Sequence, residues 1–142
     1  MTLPRSIGRN LNFATGRLNA LCQKLLDPHG LSLAQWVILS CLWREGDLSV
    51  GALSELVGSG LPATSRIIDR MIESGLVSRR RHQADGRVMV VALTDKGREL
   101  DHLADFYQRI NDIMLKGFTE EEAAQAFDLL SRMQRNAQDA LS

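Results

Sequence analysis

The feature that most constrains this chain is a change of period between Ser49 and Leu93. Ser49 heads a short apolar pattern carrying Leu53, Leu56 and Val57, and Gly58-Ser59-Gly60 closes it. A longer helical pattern opens near Pro62, a residue tolerated in a first turn because the amide hydrogen it lacks has no partner there. Its apolar positions are Thr64, Ile67, Ile68, Met71 and Ile72, and Gly75 supplies the stop. The period then shortens to that of strands, over Leu76 to His82 and again over Val88 to Leu93. Between the two runs, Gln83-Ala84-Asp85-Gly86 has the chemistry of an Asp-Gly hairpin turn.

Both flanks are helical. Ile7, Leu11, Ala14, Leu18, Leu21 and Leu25 recur at steps of four and three, one apolar stripe broken by Pro28 and Gly30. Ser32-Leu33-Ala34-Gln35 is a capping-box pattern for a second helix, whose body from Trp36 to Trp43 is apolar on nearly every face and therefore buried. Gly46 and Asp47 end it. Beyond the hairpin, Thr94 caps one long helix with Leu100, Leu103, Tyr107, Ile110 and Met114 on one side, as far as Gly117. Thr119-Glu120-Glu121-Glu122 opens a last helix with acids at its positive end, and Ala123, Ala126, Leu130, Met133, Ala137 and Leu141 form its stripe.

The predicted fold is mainly α with a small β-hairpin wing. Short helix, three-residue turn, longer helix and hairpin is the order of a winged helix-turn-helix. It occupies about residues 32–96 of a single domain spanning 1–142. Helices over about 5–28 and 97–142 flank it, and their stripes exceed what the small centre could cover. A two-fold dimer seam accounts for them, so a homodimer is expected; a monomeric helical core is the alternative.

Net charge is zero over the 142 residues, but it is unevenly spread. Residues 60–98 carry a net +4 and residues 99–142 a net −5. A basic middle suits a polyanion such as double-stranded DNA on one face, although two solvated faces would read the same. No run is apolar enough for a membrane span. The opening segment, interrupted by Arg9, Arg17 and Lys24, lacks the apolar core of a signal peptide. With two cysteines and no export signal, a cytoplasmic location with free thiols is expected.

On the longer helix Arg66, Asp69, Arg70 and Glu73 share the outer side, while the small Ala63 and Ser65 allow close approach at its start. Arginine bridges two acceptors on guanine or forks onto a phosphate. Taken alone, this is also an ordinary surface helix with an incidental pair at Arg66–Asp69 and two like charges at the Asp69–Glu73 spacing. The hairpin changes that balance. Arg79, Arg80, Arg81 and His82 lead into it and Arg87 leaves it, with Asp85 placed to steady Arg87. A narrow minor groove attracts an inserted arginine.

Asp85-Gly86-Arg87-Val88-Met89-Val90-Val91-Ala92-Leu93-Thr94-Asp95-Lys96-Gly97 resembles the wing signature of the multiple-antibiotic-resistance regulator (MarR) family. The stretches Leu53 to Gly58 and Arg66 to Val77 are similar to that family's helix-turn-helix at the same spacing. The resemblance implies a homodimeric DNA-binding regulator, usually a repressor on pseudo-palindromic operators. It implies Ala63, Ser65, Arg66 and Arg70 as recognition contacts, Arg87 as the minor-groove residue and Asp85 as its partner. Many such proteins release DNA when a small phenolic, lipophilic or oxidising signal reaches a cleft. Gly60-Leu61-Pro62 and Gly86 depart from the hydroxyl or basic residues often found at those places.

For an effector, Phe13, Arg17, Trp36 and Trp43 lie on the two helices that line the family's cleft. Arg17 is a partner for a ligand carboxylate and Trp36 a flat apolar wall; the plainer reading makes both tryptophans core and leaves Arg17 in solvent. A redox-sensing role through Cys22 or Cys41 is a second alternative. In the hydroperoxide-sensing branch, however, the reactive cysteine falls where this chain has Asn12, and free cysteine is often simply buried. A winged helix used for protein binding is a third. His29, His82 and His102 show no paired metal-ligand spacing, so no metal and no cofactor are expected. No nucleophile–base pair, paired carboxylates or phosphate loop stands out, which argues against an enzyme.

Overall fold

The computed structural model describes residues 2–142. Helix α1 spans Ile7–Leu26, and the Ser6 hydroxyl accepts from the Arg9 amide at its start. A 3-10 turn over Asp27–His29 follows, and Gly30 leaves it in the left-handed region. Helix α2, Leu33–Glu45, carries the full Ser32/Gln35 capping box. Ile38, Leu39, Cys41 and Leu42 are buried along it, so the all-round apolar pattern does mark a core helix.

Helix α3 (Val50–Val57) and helix α4 (Leu61–Glu73) form the helix-turn-helix. Gly58, at φ 73°, turns the chain in a conformation that side chains disfavour. The Ser54 hydroxyl donates to the Ser59 carbonyl across that turn. Strand β2 (Val77–Arg81) pairs antiparallel with β3 (Met89–Leu93), as a hairpin should. A third strand escaped the sequence reading: β1, Leu48–Ser49, pairs with Val91 and Val90 to give the order β1-β3-β2. At two residues it is too short to show a period.

Two expectations need correction. The Asp85-Gly86 step is not a tight two-residue turn. The register ends at Arg81 opposite Met89, so residues 82–88 form a wider loop, and Gly86 does not take a positive φ. Nor does one long helix follow Thr94. Thr94 caps a short α5, Asp95–Glu99, and a 3-10 turn covers Asp101–Leu103 before α6 begins at Phe106. The Gly97 and Leu103 carbonyls accept the indole N–H groups of Trp43 and Trp36, each at 2.9 Å, which ties this broken stretch to α2. Gly97 is buried, and a Cβ there would lie 2.2 Å from the Leu76 carbonyl oxygen, so α5 touches backbone at that point.

The chain divides into two compact units, one ending at Ala104 and the other spanning Asp105–Ser142. The first therefore holds α1 with the winged helix, not the winged helix alone. Its core gathers Leu26, Ile38, Leu39, Leu42, Leu53, Ile68, Met71, Val77 and Val91. The second comprises α6 (Phe106–Met114), a turn at Gly117 and α7 (Glu120–Leu141), which opens on the Thr119/Glu122 capping box. In α6 Phe106 and Ile110 are buried. In α7, 22 residues long and amphipathic, no residue is buried among those described. Among the described residues no helix is long and apolar enough to cross a membrane.

Candidate nucleic-acid interface

Helix α4 is sorted into faces by burial. Thr64, Ile68 and Met71 are buried, Ile67 and Ile72 half-buried, and Arg66, Asp69, Arg70 and Glu73 exposed. Ala63 and Ser65 are half-buried at its first turns. Gly60 caps that end without a side chain, leaving the first amides of the helix without a hydroxyl or carboxylate partner. The anticipated Arg66–Asp69 pair does not form. Asp69 binds Arg79 of β2 at 3.0 Å instead, so helix and strand are tied by charge. Among the described residues, Arg66 and Arg70 pair with no carboxylate.

The other hairpin arginines are also engaged. Arg80 meets Asp47 at 3.0 Å. Arg81 donates to the Gly86 carbonyl at 2.9 Å and braces the loop from within. Of the five basic residues proposed for the ribbon, Arg79, Arg80 and Arg81 thus hold the wing together. Arg87 stands apart, its side chain 92% exposed. The Asp85 carboxylate accepts from the Arg87 amide at 3.0 Å and from its Nε at 3.3 Å. This is the orienting pair that the spacing suggested, and it leaves the terminal nitrogens of the guanidinium outward. The Arg87 backbone N–H, and then its guanidinium, hold the Asp85 carboxyl below the usual carboxylate range.

The residues named for an effector are scattered. Phe13 is exposed, between Arg9 and Arg17, whose guanidinium carbons lie 5.5 and 5.4 Å from its ring centre. Trp36 and Trp43 are half-buried and pin the 97–103 segment. None of the four lines a largely apolar hollow of about 650 Å³ bounded by Asn19, Gln23, Leu33, Val37, Val57 and Ile67 among others. Every residue lining it is uncharged. The sequence offered no signal for it, because its residues come from four helices and are individually ordinary.

Cys22 and Cys41 are both free and buried. Burial pushes the Cys22 thiol up, away from the thiolate that redox chemistry needs. His29 and His102, distant in sequence, meet edge to face at 6.2 Å. Among the described residues no group of three or more His, Cys, Asp or Glu is placed to hold a metal ion.

A helix-turn-helix carrying unpaired arginines, with a clamped arginine on the adjoining hairpin, is the arrangement of a winged-helix DNA-binding protein. Comparison with known proteins narrows this. A model described as the MarR family matches residues 31–89. The HTH-type transcriptional regulator YwoH of Bacillus subtilis is 34% identical over 115 residues, covering 76% of this chain and 78% of that protein. YdgJ of the same organism, another HTH-type transcriptional regulator, is 32% identical over 108 residues, covering 75% of this chain and 66% of that one. The fold is similar to that of a mutant MarR of E. coli solved in complex with operator DNA, at a TM-score of 0.83 and 23% identity, over 89% of this chain and 92% of that one. The chain belongs to the MarR family of helix-turn-helix transcriptional regulators.

Proposed function

We propose that this regulator binds double-stranded DNA as a homodimer on pseudo-palindromic operators, with α4 in the major groove and the wing along the minor groove. The observation that carries the reading is the pair of unpaired arginines, Arg66 and Arg70, on the exposed face of α4 beside the outward Arg87. Ala63 and Ser65 allow the helix start to approach base edges. Arg79 and Arg81 contribute positive potential while bracing the wing. The unburied stripe of α7, together with exposed Ile7 and Leu11 on α1, supplies apolar surface for a second copy. A dimer seated across a promoter excludes the polymerase, so repression is the role we assign, in the cytoplasm where the DNA lies. The work is binding rather than catalysis.

A small effector is a further part of the reading. The 650 Å³ hollow is of ligand size, and its uncharged lining favours a neutral phenolic or lipophilic molecule over an acid. Such a ligand displaces DNA only by binding the free geometry more tightly. The test is electrophoretic mobility shift with a duplex selected by the protein from a random-sequence pool, beside sedimentation at micromolar concentration. We expect a sequence-specific complex and twice the chain mass. A clean monomer, or equal affinity for selected and random duplexes, would overturn the reading.

A further inference from the structure

We propose that His82 is the positioning residue of the wing: its neutral imidazole shapes the loop that aims Arg87, so the grip on DNA weakens as that ring takes up a proton. This rests on the reading of Arg87 as a DNA contact.

Besides the bonds of His82 and the Asp85–Arg87 clamp, the loop is held by the Val88 amide donating to the Asp85 carbonyl at 3.0 Å and by Arg81 donating to the Gly86 carbonyl at 2.9 Å. Among residues 82–88 none is buried. Beneath it lies an open hollow of about 790 Å³, bounded on the far side by Asp47, Leu48, Ser49 and Ala52. Apolar packing therefore does not determine its shape, and polar bonds must. His82 makes three of them. Its backbone N–H donates to the Val88 carbonyl at 2.8 Å, closing the base of the loop. Its ring Nδ1 lies 3.1 Å from the Ala84 amide and 3.2 Å from the Asp85 amide. Backbone amides are obligatory donors. Nδ1 must accept from both, which fixes the neutral tautomer with its proton on Nε2.

The chain of consequence runs through one residue. The ring holds the Asp85 amide, and the Asp85 carboxylate holds the amide and Nε of Arg87. A proton on Nδ1 would turn the acceptor into a donor facing two donors, and both ring bonds would break. The Asp85 carboxylate attracts a charged ring, but it cannot replace the acceptor that the two amides lose. Asp47 is paired with Arg80 across the hollow, Asp85 with Arg87, and the Arg81 guanidinium is on the Gly86 carbonyl. The remaining neighbours from β1, α3 and β3 (Leu48, Ser49, Ala52, Val90) are uncharged. An imidazolium here gains no vacant carboxylate.

This predicts a pH response opposite in sign to simple electrostatics. A histidine acting only as a charge near phosphate would strengthen binding in acid; here a proton on the ring removes the acceptor and weakens it. The experiment measures affinity for the selected duplex with wild type, His82→Ala, His82→Asn, Arg87→Ala and the His82→Ala/Arg87→Ala double variant. We expect His82→Ala to lose roughly tenfold, matching Arg87→Ala, and the double variant to lose no more, as for residues acting in series. His82→Asn places a carbonyl oxygen where Nδ1 stood; it should keep the affinity and abolish the acid weakening. In the free protein, the Ala84 and Asp85 amide resonances should shift in His82→Ala and return toward wild type in His82→Asn. The proposal is overturned if Arg87→Ala loses affinity while His82→Ala does not, if the two losses add, or if wild type binds more tightly in acid. Should Arg87→Ala itself bind like wild type, the wing reading fails, and that arm tells the two failures apart.

Discussion

Helix α4 and the wing loop both turn arginines to solvent, but they are secured by different physics. The exposed face of α4 is the back of a face on which Thr64, Ile68 and Met71 are buried, so the core fixes where Arg66 and Arg70 stand. The loop over residues 82–88 has no buried member and keeps its shape through the His82 ring, the Asp85 carboxylate, the Val88 amide on the Asp85 carbonyl and the Arg81–Gly86 bond. Apolar burial is indifferent to pH and salt over ordinary ranges, whereas charge-dependent hydrogen bonds are not. One element should therefore read sequence under most conditions, and the other should respond to them.

The comparison can be broken most directly through the core. Ile68→Ala removes a fully buried side chain beneath α4 and should cost about 2–5 kcal/mol of stability, read from a denaturant midpoint. Gln83→Ala in the exposed loop should stay within about 0.5 kcal/mol of wild type. If the two shifted the midpoint equally, the distinction would be lost. Next in size is Arg66→Ala, expected to cost about 1–3 kcal/mol of binding and to relax preference at one base pair per half-site. Arg87→Ala should differ in kind, weakening all sequences evenly and lowering the salt slope by about one. Selected-duplex competition across a salt series separates these outcomes, and identical profiles would mean that both arginines do one job.

The smallest effect concerns Asp85. Its carboxyl is held below the usual range by the Arg87 amide and guanidinium. A depressed folded value means that the carboxylate's contribution is present above the unfolded value and lost as pH falls through the folded one. The protection of the Arg87 amide, corrected for the intrinsic pH dependence of exchange, should therefore be constant with respect to Asp85 titration at neutral pH and be lost only below about pH 4, the ordinary carboxylate value. Asp85→Asn should show the faster exchange already at neutral pH. Unchanged protection below about pH 4 would mean that the Asp85 carboxylate does not hold this amide.

Legibility followed the same divide. The faces of α4 could be read from the spacing of Thr64, Ile68 and Met71, because burial and helical period are the same fact seen twice. The capping residues Ser32, Ser49, Thr94 and Thr119 were legible because each cap is a local bond within three residues. What escaped was non-local. Asp69 faced Arg66 in sequence but Arg79 in space. Trp36 and Trp43 could be read as core or, for Trp36, as a ligand wall, but not as donors to carbonyls more than fifty residues away in the broken stretch after Thr94. The shape of the wing loop turned on a single ring nitrogen, and a dipeptide preference for tight turns could not foresee that.

The Asp69–Arg79 pair also bears on how such a regulator could change its targets over generations. Asp69 lies on the exposed face of α4 that we propose meets DNA, yet its charge is neutralised from a neighbouring strand. Replacing Arg79 would leave α4 itself untouched and release a carboxylate beside Arg66 and Arg70. A free carboxylate can accept from the amino group of cytosine and repels phosphate. Operator preference is thus open to revision from a position that touches no base, and a mutational drift in β2 could retarget the protein while its recognition helix stayed the same.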